Sequence, residues 1–523
     1  MRDTPVGKQM AAGKGEEAFQ GLFNSVAANE PVSYMMDPKI MKSAWQAQID
    51  AANDAYEPGK FTTLIAFEWT SQPNYMNLHH NVFFRDDVGP KRVFSSFDSE
   101  HREDMLSYQE HQRSLGHENF SIPHNSNMSN GGMFAVHTSK GEPIDVEWAK
   151  RSERNSPAVE IIQTKSASET HPSLAPSDEF ADFEQGFKHR LGSNGLVAAF
   201  DRSMVRHALT DGVGFQEMIG ANPFKYGIVS GADSHNAISD NEEFNYVGVH
   251  GNTDKTPEVR MSSTGSVAGE APIKFGTPGA TGVWAPENTR PEIFDAIVRK
   301  ETFGTSGPLI RVRFFGGWDY DDDLHKDRNF VKKAYDGGVP MGGDLPPMPK
   351  SAKAPTFAVW ALKDPESGNL DRIQIIKGWY DESGNGRQKI YDLAWSDNRQ
   401  PDDNGKLPPV GNTVDVTKAT YTNSIGDNEL SATWTDPDFD PTRHAVYYAR
   451  VIEIPTPRWS TYDAVKLGVP LSPDAPPTLQ ERAWTSPIWY TPAPGLVKKA
   501  DFYPTRLEKL RPSNFDESKL SQY

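Results

Sequence analysis

Four short apolar runs in the first half of the chain end on polar residues able to do chemistry, and the stretches between them have helical character. The run at 61–67 leads into Glu68, 120–123 into His124, 158–162 into Gln163, and 226–231 toward Asp233 and His235. Apolar runs of this length are strand-sized. Strands alternating with helices predict an α/β layout with a parallel sheet. When such a sheet curls into a barrel, side chains that bind ligands gather where the strands end. Residues 203–209, halted by Asp211-Gly212, read as one of the intervening helices, short and stopped by glycine.

From about residue 311 the pattern changes. The segments 310–318, 356–361, 372–377 and 445–452 are aromatic and β-branched, and Arg311, Arg313 and Arg372 alternate with apolar neighbours. A period of two marks half-buried strands, and a β-sandwich is the natural home for several of them. At 523 residues the chain exceeds one domain of roughly 100–200. The predicted organisation is an α/β unit over 1–310, a β-rich unit over 311–500 and a tail over 501–523. Pro-rich joints at 345–349 and 474–477 read as loops.

The chain has no cysteine, so any metal must be held by His, Asp, Glu or backbone oxygen. Twelve of the 14 histidines precede residue 251, which places imidazole chemistry in the first half. A net charge of −17 argues against a nucleic-acid partner, because phosphate backbones are held largely by Lys and Arg. No apolar run approaches the roughly 18 residues that suggest a membrane span. The opening residues show no export signal, and the compartment stays open.

Asp233 and His235 are two apart, so on an extended segment they face the same side. The alternative is a turn in which Asp233 caps the next few residues. Glu68 ends an apolar run, where a carboxylate needs a partner; the alternative is a structural pairing with arginine or a helix cap. His79 and His80 point opposite ways on a strand, so at most one serves a site, and the other lies at the surface or behind it. Pro123 leaves the backbone of His124 extended, aiming its imidazole at a strand end; the alternative is a core histidine. Together these residues offer Zn, Mn or Fe a cysteine-free ligand set. Such centres activate water and clamp an oxyanion, which is the physics of phosphoester hydrolysis.

After a further strand, Lys165 and His171 could hold an anionic substrate or act as general acid, with Asn125, Asn127, Gln163 and Glu169 as substrate contacts. The alternative is an ordinary polar loop. The acidic stretches 319–323 and 436–440 read as solvated loops. No G-x-S-x-G, P-loop or G-x-G-x-x-G sequence occurs, which lowers serine-hydrolase and nucleotide readings. A different class of function is a binding module, with Trp318, Trp360, Trp379 and Trp459 lining a carbohydrate or protein surface.

The segments Phe-Glu-Trp-Thr (67–70), Asn-Leu-His (77–79), Ile-Pro-His-Asn-Ser-Asn (122–127), Asp-Glu-Phe-Ala-Asp-Phe-Glu (178–184), Asn-Pro-Phe-Lys-Tyr-Gly (222–227) with Asp233-x-His235, and 452–462 together resemble the bacterial family of domain of unknown function 3604 (DUF3604). That family is itself similar to the polymerase-and-histidinol-phosphatase (PHP) superfamily of distorted (β/α)₇ barrels, which carry up to three divalent metals. The resemblance implies an incomplete barrel of that kind followed by a β-rich, sandwich-like region, and hydrolysis of a small anionic phosphoester by metal-activated water. It matches Glu68 to a bridging glutamate, His79 and His124 to two mid-chain histidines, and Asp233 with His235 to a closing D-x-H. Members of the superfamily begin with an H-x-H strand and a later D-H, neither of which precedes Glu68. The resemblance therefore implies a chain that starts inside the domain, with one metal fully held, by Glu68, His79 and His124. It also implies a periplasmic or secreted location for the intact protein.

Overall fold

Helices α1 (Pro5–Ala11) and α2 (Gly15–Ala28) precede α3 (Pro38–Asp54), which starts on a proline and is capped by Asp37 accepting from the Lys39 amide. The computed structural model describes residues 4–32, 36–186, 200–238, 240–250, 254, 256–264, 270–497 and 515–523. Strands β1 (Ile65–Trp69), β2 (His80–Phe84) and β3 (Asn119–Pro123) come next and form one sheet. Ile65, Trp69, Val82 and Phe84 bury one of its faces against Trp45 and Ile49 of α3 and against Met105, Leu106 and Tyr108 of α4 (Arg102–Ser114).

Both pairings in this sheet are antiparallel, not parallel as the strand–helix alternation predicts. No helix crosses over between β1 and β2. A tight turn at Pro73–Tyr75, with Asn74 and Tyr75 at φ 51° and 62°, sends the chain straight back. Parallel pairing appears once among the described strands. After α5 (Val146–Asn155) come β4 (Ala158–Glu160) and the small hairpin of β5 (Ile162–Gln163) and β6 (Ser166–Ala167). β4 then pairs in parallel with β7 (Gly227–Val229), reached through α6 (Val205–Ile219).

Gly212 does not stop α6. The helix runs seven residues further and ends at Gly220, whose φ of 79° is the left-handed cap. The interior glycines serve close approach: a Cβ on Gly212 would fall 2.2 Å from Asn222 Oδ1, and one on Gly214 would fall 2.8 Å from the Tyr380 ring.

The second half is built from β8 (Ala280–Val283), β9 (Thr302–Thr305), β10 (Arg311–Gly317), β11 (Gly338–Pro340), β12 (Thr356–Leu362), β13 (Leu370–Tyr380), β14 (Gly386–Trp395), β15 (Glu429–Thr435) and β16 (Ala445–Glu453). The short pair β17 (Thr456–Pro457) and β18 (Thr478–Leu479), then β19 (Arg482–Thr485) and β20 (Ile488–Tyr490), complete it. One antiparallel sheet runs β11-β10-β12-β15 and the other β14-β13-β16-β19-β9-β8, with β20 also on β16. Val312, Phe314, Phe357 and Val359 of the first pack on Ile373, Ile375, Tyr447 and Val451 of the second. Strands from both sides of residue 310 thus share one sheet. The whole is a mixed α/β protein with several sheets, and its described strands do not close into a barrel.

Arg311 and Arg313 alternate outward as predicted, but Arg372 is buried and meets Asp371 and Glu179 at 3.2 and 2.8 Å. In the 436–440 stretch Asp436 is also buried; it accepts from Lys377 at 2.6 Å and from the Tyr447 hydroxyl at 2.8 Å. Alternation in text cannot tell a solvated charge from one met by a partner strand.

α6 is tied to β13 by the Tyr380 hydroxyl, which donates to Asp211 Oδ1 at 2.8 Å. Burial pushes Asp211 up to about 6. A raised carboxyl favours folding most below its ordinary value of 3.8, and that advantage is lost as the pH rises through about 6. Asp211→Asn is therefore expected to match the wild type near pH 4 and exceed its stability at pH 8 by up to about 3 kcal/mol. Urea unfolding at the two pH values checks this; equal stabilities at pH 8 contradict it.

Of the predicted tail, residues 501–514 lie outside the described residues. Beyond them, Tyr523 packs on Phe94 and Tyr108, with the Arg92 guanidinium 4.5 Å over its ring. Tyr523→Ala is expected to cost about 2–4 kcal/mol, as other large-to-small changes in buried aromatic clusters do. Denaturant unfolding measures it, and a loss below about 0.5 kcal/mol would show the contact to be idle.

Candidate metal centre

β1 buries Ile65 and Trp69, so alternation turns Glu68 to the opposite face, across from Asn81 in the register with β2. His79, just before β2, shares that face. His80 is turned into the core: its Nδ1 lies 2.8 Å from the Leu78 carbonyl and its ring packs edge-on to Trp69. It is buried, not at the surface. His124 comes directly after β3, and its amide donates to the His79 carbonyl at 3.1 Å, which stitches the two strand ends together.

His79 Nδ1 stands 2.9 Å and His124 Nε2 3.7 Å from the same oxygen, Glu68 Oε1. The two rings are edge-to-face with centroids 5.5 Å apart. Among the described residues, this is the one group of three carboxylate or imidazole side chains whose ligand atoms all lie within 4.8 Å of one another. Burial alone would raise the Glu68 carboxyl, but the His79 hydrogen bond and the charges of His79 and His124 outweigh it and hold it at about 2. Burial lowers His124, which keeps its imidazole neutral with a lone pair to give. His79 Nε2 is buried without a hydrogen-bond partner. One carboxylate and two imidazoles, one of them with an orphaned ring nitrogen, suit a borderline divalent ion such as Zn, Mn or Fe.

Asp233 and His235 do not join this group. β7 ends at Val229, and Asp233 sits at φ 49°, so the segment is a turn and not the extended strand end that the i, i+2 spacing assumes. His235 is half exposed; its Nδ1 lies 2.8 Å from the Asp233 carbonyl, and its ring stacks on His250 at 4.7 Å. Asp233 instead gathers the β5–β6 residues. Its Oδ2 accepts from Gln163 Nε2 at 2.8 Å, from Asn125 Nδ2 at 3.1 Å and from Lys165 Nζ. Burial would raise Asp233, but the Lys165 ammonium and then His124 hold it well below the usual carboxylate range. Asn127 braces the same loop, donating to the Lys165 carbonyl at 3.0 Å and accepting from Ser168 Oγ at 2.9 Å.

Glu169 and His171 are elsewhere. Glu169 belongs to a buried ion cluster with Arg206 at 2.6 Å and Arg450 at 3.1 Å, and it accepts from the Tyr448 hydroxyl at 2.7 Å. His171 Nδ1 lies 2.8 Å from Ser173 Oγ, and its ring lies beside Phe200.

Three further residues belong to the neighbourhood. The Asn81 side-chain amide lies 3.4 Å from His124 Nδ1; with its oxygen turned to the ring it accepts the Nδ1–H that a metal-binding Nε2 requires, and so orients that ring. Glu160, at the end of β4, accepts from the Asn125 amide at 3.2 Å; burial and then the Asp233 charge push its carboxyl well up. Gly231 leaves room for it, since a Cβ there would come within 2.8 Å of Glu160 Oε2. His250, stacked on His235, is held at about 3 by burial and by the charges of His235 and Lys165. Glu160 does carry a sequence signal, a carboxylate inside the apolar run 158–162. Nothing local marks Asn81 or His250.

A protein family described as "Protein of unknown function (DUF3604)" matches residues 5–492, nearly the whole chain, and the chain belongs to that family. No curated protein and no solved structure matches it.

Proposed function

We propose that this member of the DUF3604 family is a metal-dependent hydrolase of small phosphoesters, with Glu68, His79 and His124 holding the ion. The observation that carries the reading is the convergence of those three ligand atoms within 4.8 Å, from two strand ends and a loop. A PHP-like barrel arrangement is the architecture proposed with it. Supporting that reading, Glu68, His124 and Glu160 all lie at or just past the ends of β1, β3 and β4, and β4 runs parallel to β7.

A divalent ion bound there supplies Lewis acidity toward a phosphoryl oxygen and makes water a nucleophile near neutral pH. The chain's own residues do the rest. Glu68 stays ionised across the physiological range and contributes the negative charge. Asn81 fixes the tilt of the His124 ring. Burial and then the Asp233 charge push the Glu160 carboxyl well up, which disfavours a further negative charge there.

Hydrolysis of a chromogenic phosphodiester and a phosphomonoester, with and without chelator, tests this. Activity lost to chelator and restored by Zn or Mn is expected. Activity indifferent to chelator contradicts it.

A second reading, a binding module in the β-rich half, draws on one cavity of about 180 Å³ lined by Trp379, Tyr380, Phe439 and Tyr447. Lys377 on its wall is paired with Asp436, and the wall also carries Asp381, Glu382, Asp438, Asp440 and Arg443, so the cavity sets aromatic faces beside acidic groups. Trp318 and Trp459 are core residues and take no part. Saccharide binding in the presence of chelator, abolished by Trp379→Ala, would favour this reading.

A further inference from the structure

We infer that the Lys165 ammonium is a built-in cation at Asp233, so that the centre takes up a single divalent ion, at Glu68, His79 and His124, and none at Asp233. This rests on the metal reading above and adds to it how many ions the chain accepts and what sets that number.

Lys165 is 8% exposed, and its Nζ is in direct contact with Asp233 Oδ2. The same oxygen already takes the amides of Gln163 and Asn125 at 2.8 and 3.1 Å. Three donors on one carboxylate oxygen saturate its lone pairs. An ion approaching from that side would have to displace an ammonium and two amides together.

The lysine is also delivered by a stiff support. It sits in the turn between β5 and β6, where its amide donates to Gln163 Oε1 at 3.0 Å and its carbonyl accepts from Asn127 at 3.0 Å. Gln163 and Asn127 are themselves buried. The turn is closed by Ser166 at φ 88°. Asp233 is fixed from its own side by a left-handed backbone. Two pinned loops thus hold opposite charges together in a poorly hydrated place, where a like charge is repelled more strongly than in water. A divalent ion beside Lys165 would meet that repulsion, and removing the ammonium lifts it. It also leaves the Asp233 carboxylate, 13% exposed, charged and short of a counterion.

Metal content of the purified full chain, after saturation with Zn and exhaustive dialysis, reads this directly. The expected values are one ion per chain for the wild type, one for Lys165→Arg, which keeps the cation, and two for Lys165→Met. Asp233→Asn is expected to keep one ion, since Asp233 is not a ligand of the occupied site. Lys165→Met remaining at one ion with a native circular dichroism spectrum overturns the inference and leaves the metal reading intact. A wild type that takes up two ions, or an Asp233→Asn chain that takes up none, does the same. A wild type that takes up none overturns both. If Lys165→Met does not fold, calorimetric Zn titration of the wild type decides. One equivalent supports the built-in cation and a second overturns it.

Discussion

Arg450→Met is expected to destabilise the protein by about 3–5 kcal/mol at pH 7, the usual consequence of stripping one partner from a buried ion cluster. Arg450 and Arg206 together face Glu169 and Asp178, and the side chains of all four are at most 4% exposed. Arg450 meets Asp178 Oδ1 at 2.8 Å and Glu169 Oε2 at 3.1 Å, and also donates to Gln374 at 2.7 Å. Two carboxylates balance two guanidiniums. Methionine fills much of the same space but leaves one carboxylate in apolar surroundings without a counter-charge. The cluster joins the two halves of the chain: Arg206 lies on α6, Glu169 and Asp178 come after β6, and Arg450 lies on β16.

The effect has a pH signature. Burial alone would raise Glu169, but Arg206 and Arg450 outweigh it and hold the carboxyl at about 2. A depressed carboxyl stabilises the fold fully above its ordinary value of 4.5, and that contribution is lost as the pH falls toward about 2. The gap between wild type and Arg450→Met is therefore expected to be widest at neutral pH and to narrow with acidification. Urea unfolding at pH 7 and pH 4 measures it. A gap that is small at pH 7, or that grows toward pH 4, contradicts the ion-cluster explanation.

The second large effect concerns the centre itself. Glu68→Gln keeps the size of the side chain but removes the charge and makes one of its two oxygens a nitrogen donor. The loss of an anionic ligand is expected to weaken metal binding by more than about 100-fold, with hydrolysis falling in step. Asn81→Ala, which only frees the His124 ring, is expected to cost about 10–100-fold. Isothermal titration with Zn ranks the two. Equal, small losses would mean that neither residue serves a metal.

Glu68 and His124 are legible in the text because each depends on a local rule, whereas alternation leaves His79 and His80 open and only the family resemblance picks His79. An apolar run must end somewhere, and a proline before His124 keeps its backbone extended. The pairing direction of β1 and β2 is not legible, because a ten-residue connection looks alike whether it holds a helix or a tight reversal, and β3 pairs antiparallel to β2 although α4 lies between them. Asp233-x-His235 misleads through geometry: the same-side rule holds for a strand, and Asp233 lies in a left-handed turn. Gly212 looks like a helix stop because the sequence does not show Asn222 pressed against it. Lys165, Glu169 and His171 are close in sequence and read as one polar loop. The fold sends them to three surroundings, the Asp233 carboxylate, an arginine cluster and a local serine.

Zinc or manganese content of the purified chain, set beside that of the Glu68→Ala/His124→Ala double variant, tests the central claim most directly. One ion per wild-type chain and none in the double variant is the expected result. A folded double variant that keeps its ion, or a folded wild-type chain that binds none at saturating metal, would contradict it.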